Sequence, residues 1–254
     1  MKPYYFSAEV RWFFPGTVQD GDALHSWFVR PLKNYGRSPE ELRVFESDNS
    51  KQPRIDEYLV LPETTTVGPK LRGGDTQSSF EIKAQASPPA PWRLGDRVSG
   101  RTDAWTKWSF KHEALNQALG PLRQEGKWIL IAKDRWLRKI SMDSGSPVFV
   151  VPDAKAYRLD HADPALRQMP DVGCNFELTR IFIGNDRSDP AQAWTTICFE
   201  AFAPDLERAR ATLEPCAKLS FDELGLPPGV ELTEDSSLSY PAWFLTLQRA
   251  PAPA

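Results

Sequence analysis

Residues 8–16 read AEVRWFFPG, and Glu9 and Arg11 stand one alternation apart in a run of valine, tryptophan and phenylalanine. Side chains alternate across a β-strand, so the two charges share one face while Val10 and Trp12 share the other. Pro15-Gly16 then closes the run in a turn. On an open antiparallel sheet the charged face would meet water. In a sheet closed on itself it would line a charged interior. The fold turns on which of these holds.

Composition sets the limits. A chain of 254 residues can bury a sizeable core, and all-β barrels of this length are often one domain, so residues 1–250 are expected to form a single domain with a disordered Ala/Pro tail at 251–254. Hydrophobic residues at 41% and charged residues at 26% are ordinary for a globular protein, which excludes disordered and membrane classes. No apolar run approaches a membrane span and the first ten residues lack a signal-peptide core, so a cytoplasmic location is expected. Three cysteines without a CxxC pair, and histidines that are not clustered, argue against a disulfide framework and a structural zinc site. A net charge of −3 and a pI near 5.7 offer no bulk attraction to nucleic acid. No GxSxG, Walker or HExxH motif is present.

The pattern of the opening recurs along the chain. Strands are expected at residues 4–14, 54–62, 69–74, 79–86, 97–110, 127–140, 174–184 and 193–202, several of them bounded by Pro or Gly, including SPPAP at 87–91. Helices are expected at 22–32, at 38–45 with Ser38 as a cap, at 112–126, and at 204–219. About eight strands with few helices make a barrel or strongly curved sheet the natural closed solution. The expected class is α+β and mainly antiparallel β: an eight-stranded, tunnel-like barrel with peripheral helices. Strand parity puts Glu9 with Arg11, Lys70 with Arg72, Glu81 with Lys83, and Lys133 with Arg135 on common faces; Arg101, Asp103 and Lys107 share a phase, and Glu177 and Glu200 stand alone among apolar neighbours. Parity alone does not say which face is the inside. The tryptophans read as packing and Cys198 as core.

These residues resemble, in order along the chain, the CYTH superfamily of triphosphate tunnel metalloenzymes. Asp56-Glu57-Tyr58-Leu59 is similar to its DxYL strand, Lys70-Leu71-Arg72 to its basic LR strand, Glu81-Ile82-Lys83 to its ExK strand and Lys133-Asp134-Arg135 to its KxR strand. The 193–202 stretch resembles the acidic strand, with Glu200 as its carboxylate. Leu224-Gly225-Leu226 and Ser239-Tyr240 resemble the closing helix and SY segment. The resemblance implies a barrel whose interior binds triphosphate through lysines and arginines and Mg²⁺ or Mn²⁺ through carboxylates. Arginine forks onto phosphate oxygens and hard cations take oxygen ligands, so that chemistry needs both signs. Carried over, it implies Lys70, Arg72, Lys83, Arg101, Lys107 and Arg138 for phosphate; Glu9, Glu81, Glu177 and Glu200 for metal; and Glu9, Arg11, Lys133 and Arg135 for catalysis. The expected partner is a small phosphorylated ligand, with neither nucleic acid nor membrane, and the expected activity is metal-dependent triphosphate hydrolysis.

The chain departs from the resemblance on the first strand. The signature ExExK is replaced there by Glu9, Arg11 and Phe13, and an aspartate usual on the strand around residue 177 aligns with Thr179. An arginine has no acceptor and ligates no metal. A non-catalytic tunnel that binds a polyanion is the alternative, and adenylyl cyclase chemistry, which the resemblance also covers, is a third.

Overall fold

The computed structural model describes residues 6–16, 22–32, 43–44, 54–61, 64–72, 79–110, 128–150, 170–184 and 189–249. The helix expected at 112–126, most of the one expected at 38–45 and the 251–254 tail lie outside them.

Among the described residues ten strands form one antiparallel sheet: β1 (Phe6–Pro15), β2 (Arg43–Val44), β3 (Arg54–Leu59), β4 (Val67–Arg72), β5 (Ser79–Leu94), β6 (Val98–Phe110), β7 (Trp128–Ser141), β8 (Val148–Val150), β9 (Gly173–Ile183) and β10 (Ala193–Ala203). The order β7-β3-β4-β5-β6-β1-β10-β9 returns to its start because β9 also pairs β7, from Ile131↔Ile183 to Ser141↔Gly173. Eight strands therefore close a barrel. Since β9 runs along one edge of β7, β3, β2 and β8 occupy the other edge in succession. Arg43 and Val44 thus belong to a strand, correcting that part of the expected helix.

Among the described residues two helices cover the wall from outside. In α1 (Ala23–Val29) the Asp22 carboxylate accepts from the His25 N–H, supplying one of the bonds a first turn lacks. In α2 (Leu206–Leu224) Asp205 caps in the same way, and Gly225 ends the helix at φ 68°, where a side chain would be strained. The apolar outer faces of β1, β7, β9 and β10 pack under these helices: Val10, Trp12, Phe176, Leu178, Ile197 and Phe199 meet Trp27, Phe28, Leu213 and Cys216. Phe176 and Phe199 stack at 4.3 Å. Each such side chain contributes about 1.5–3 kcal/mol by leaving water. Gly100 shows how closely the wall is packed, because a Cβ there would meet Val10 Cγ2 at 2.6 Å.

The third helix, α3 (Tyr240–Arg249), packs against the inner faces of the strands. Trp243 and Phe244 join Phe13, Tyr58, Ile131 and Ile181 in a second apolar cluster, and Phe13 stacks on Trp243 at 4.7 Å. Phe13, Tyr58 and Ile181 share strand parity with the charged residues, so this cluster fills one end of the barrel interior. The core of the molecule lies largely outside the barrel wall, and the inside is left to charge.

Candidate functional site

Away from the apolar end sealed by α3, the inward faces of the barrel strands carry most of the buried charge, and the outer faces of β1, β7, β9 and β10 carry the apolar residues under α1 and α2. Glu9 and Arg11 are both buried while the neighbouring Val10 and Trp12 belong to the outer core, so the pair at the head of the sequence points inward. The interior holds several groups of ion pairs, and Glu9 and Arg11 belong to two different ones.

The deepest part centres on Asp56. Its Oδ2 lies 3.0 Å from Arg54 Nη2, 3.2 Å from Lys70 Nζ and 3.2 Å from Lys133 Nζ. Burial alone would raise this carboxyl, but Arg54, Lys70 and Lys133 outweigh burial and hold it well below its ordinary value. Lys133 donates to Tyr58 Oη at 2.6 Å and stands 3.9 Å over the Tyr240 ring. Burial pulls its ammonium well below the ordinary lysine value; Asp56 opposes, while Lys70, Arg54 and Arg11 add to the fall. Arg11 lies 3.8 Å from Glu177 and 5.0 Å over Tyr240, and its Nε has no hydrogen-bond partner among the described residues. Arg135 completes this corner, 3.1 Å from Glu177.

Toward solvent the pairs continue. Glu81 meets Lys107 at 3.0 Å, Lys70 at 3.3 Å and Arg72 at 3.4 Å. Burial would raise Glu81, yet Lys70, Lys107 and Arg72 keep it below the carboxylate range. Lys107 itself is pulled down to about 8 by burial, with Lys70, Arg72 and Lys83 adding repulsion against the attraction of Glu81. Lys83 bridges Glu9 at 2.8 Å and Glu200 at 2.9 Å. Lys139, on the Lys133 parity, donates to Asn175 at 3.1 Å and is pulled down to about 8 by burial and by Arg135. Exposure rises from 3% at the Lys133 side chain to 32% at Arg72 and 35% at Lys107, which marks the side on which the interior opens to solvent.

The structure brings together Glu9, Arg11, Lys70, Arg72, Glu81, Lys83, Lys107, Lys133, Arg135, Glu177 and Glu200. Two residues assigned to phosphate binding stand elsewhere. Arg138 has the opposite parity to Lys133 and Arg135, so it projects outward, donating to the Phe28 carbonyl at 2.9 Å through Nε and to the Arg30 carbonyl at 2.8 Å, where it ties down the end of α1. Arg101 lies past the last β1–β6 pair, Val10↔Thr102, and its side chain turns to Glu234 at 3.4 Å. The site also holds residues the sequence reading left unassigned: Arg54, Asp56, Tyr58, Asp103, Lys139, Thr179 and Tyr240. For Arg54, Asp56 and Tyr58 a signal was present, because they alternate on one strand as the others do.

The carboxylates do not fit a divalent metal. Glu9, Glu81, Glu177 and Glu200 are each tied to a lysine or arginine of the chain, and among the described residues no three His, Cys, Asp or Glu side chains converge as a metal would require.

No protein-family model matches the chain, and no curated protein matches it. Among solved structures it is similar to a conserved hypothetical protein from Pyrococcus furiosus, at 11% sequence identity and a TM-score of 0.37, the match covering 87% of this chain and 92% of that one. No helix among the described residues is long and apolar enough to cross a membrane.

Proposed function

We propose that this protein is a CYTH-like tunnel protein that binds a small polyanion of the triphosphate type inside its barrel, without metal-assisted hydrolysis. One observation carries the reading: among the described residues inside the barrel, lysines and arginines outnumber carboxylates. Arg11, Arg54, Lys70, Arg72, Lys83, Lys107, Lys133, Arg135 and Lys139 share the interior with Glu9, Asp56, Glu81, Asp103, Glu177 and Glu200. Positive charge in excess within a buried site is costly. An anionic ligand relieves that cost, because its oxygens accept from several cations at once in charge-assisted hydrogen bonds. Arginines fork onto phosphate oxygens, and lysines approach as point charges. The overall charge of the chain is negative, so the attraction is local to the barrel.

The test is calorimetric titration with tripolyphosphate in EDTA. Micromolar binding is expected, and Lys70→Ala with Arg135→Ala should weaken it by at least about a hundredfold, since each lost charge-assisted bond is worth about 1.5–3 kcal/mol. Circular dichroism of the double variant confirms that it folds. Absence of binding, or equal binding by both proteins, overturns the proposal. Release of phosphate from tripolyphosphate in the presence of Mn²⁺ would instead favour a hydrolase.

A further inference from the structure

Three carboxylates lie side by side across the barrel wall. Register pairs Glu9 with Asp103 of β6 on one side and with Glu200 of β10 on the other. All three residues are on the inward parity. Like charges directly opposite one another on neighbouring strands repel. Carboxylate oxygens are what a hard divalent ion takes as ligands, but with Lys83 among them the three are not gathered on one point. The place is filled by the protein itself. The Lys83 ammonium, reaching in from β5, lies 2.8 Å from Glu9 Oε2 and 2.9 Å from Glu200 Oε1, while Gln85 of the same strand donates to Asp103 Oδ1 at 3.0 Å. Asn175 donates to the second oxygen of Glu200 at 3.4 Å.

We infer that Lys83 is the resident counter-ion of this row and occupies the position a divalent cation would need, so that the ligand-free tunnel takes up no divalent metal. Lys83 is then withdrawn from phosphate binding, its ammonium being committed to the two carboxylates of Glu9 and Glu200. The polyanion is left to Arg11, Lys70, Arg72, Lys107 and Arg135, a consequence that rests on the proposed function. Burial would lower the Lys83 ammonium, but Glu200 and Glu9 outweigh burial and keep it charged throughout the neutral range. A lysine so held is not readily displaced, because a metal entering the row would have to expel a charged group into a site already rich in cations.

The experiment is Mn²⁺ titration of the whole protein without phosphate, read by electron paramagnetic resonance. The wild type should show no stoichiometric binding. Lys83→Met keeps the bulk of the side chain and removes its charge, so it should bind one Mn²⁺ at least about tenfold more tightly than the wild type, and adding Glu200→Gln should abolish the gain. Mn²⁺ should also raise the melting temperature of Lys83→Met and leave the wild type unmoved. A folded Lys83→Met protein that gains no Mn²⁺ overturns the inference. So does a wild type that binds Mn²⁺ stoichiometrically and loses it with Glu9→Gln, a result that needs no folded Lys83 variant. If tripolyphosphate fails to bind while the Mn²⁺ results hold, the functional reading falls and the assignment of Lys83 stands.

Discussion

Asp56 shows how this interior is held together at the scale of one residue. The side chain is fully buried, three cations approach the same oxygen, and Oδ1 has no hydrogen-bond partner among the described residues. Removing one partner of a buried ion pair is far more damaging than the pair is stabilising, because the remaining charges are left without compensation. Asp56→Asn keeps the shape and deletes the charge. It should lower the unfolding free energy by about 3–5 kcal/mol, measured by urea denaturation at pH 7. The sign of the pH dependence follows from the direction of the shift. A carboxyl held low in the folded state contributes stability that is complete above its unfolded value and is lost as pH falls toward the folded one. The wild type should therefore lose stability below about pH 4, and Asp56→Asn should show a shallower acid limb. Tripolyphosphate should restore part of the loss in the variant. A variant as stable as the wild type, with the same acid limb, would show that Asp56 does not neutralise these cations.

Among the elements, α3 decides the shape of the tunnel. Trp243 is buried between Phe13, on which it stacks, and Trp194, at 5.4 Å and nearly perpendicular, so the helix is anchored to β1 and β10 together. Trp243→Ala removes the largest side chain of that cluster and should destabilise by about 3–5 kcal/mol, whereas Trp243→Phe should cost markedly less; thermal unfolding of the two separates packing from shape. Equal melting temperatures for Trp243→Ala and the wild type would mean that α3 does not seal the barrel. The eight strands that close the barrel were legible in the sequence because they alternate, and their number pointed to closure; β2, expected within a helix, and β8, only three residues long, were not. The inward face was not legible, since a period of two is the same seen from either side; only closure of β7 onto β9 and the helices outside the wall settle it. The stretch SPPAP read as a boundary but lies within β5. There the β4–β5 ladder has already ended, at Val67↔Ala84, so Pro88, Pro89 and Pro91 lie where a missing N–H interrupts no β4 ladder. Arg138 was misplaced although parity opposed it to Lys133. Arg101 had the inward parity, and what removes it from the cluster is the end of the β1 ladder, which no local pattern announces.

Across the whole molecule, the interior titrates near neutrality while the chain as a whole stays acidic. Asp103 is raised to about 7, chiefly by burial and next by Glu9, and Lys107 and Lys139 are lowered to about 8. Between pH 6 and 9 the barrel therefore loses positive charge in two ways: Asp103 becomes anionic, then the two lysines become neutral. Both changes weaken the hold on an anion, so tripolyphosphate affinity should fall as pH rises across this window. Stability follows different signs. Asp103 keeps a proton that the unfolded chain has released, so its contribution declines as pH rises from about 4 to 7; Lys107 and Lys139 release theirs early, so stability rises with pH from about 8 to 10. Tripolyphosphate also titrates, but its own protonation is common to every protein tested. The decisive comparison is calorimetry at pH 6, 7, 8 and 9 for the wild type and for Asp103→Asn with Lys107→Met. The double variant carries neither titrating group, so its affinity should vary less steeply than that of the wild type, with the residual slope owed to Lys139 and the ligand. If the two proteins share one slope, the excess charge that draws the anion is not set by Asp103 and Lys107, and the part they are given in binding is wrong.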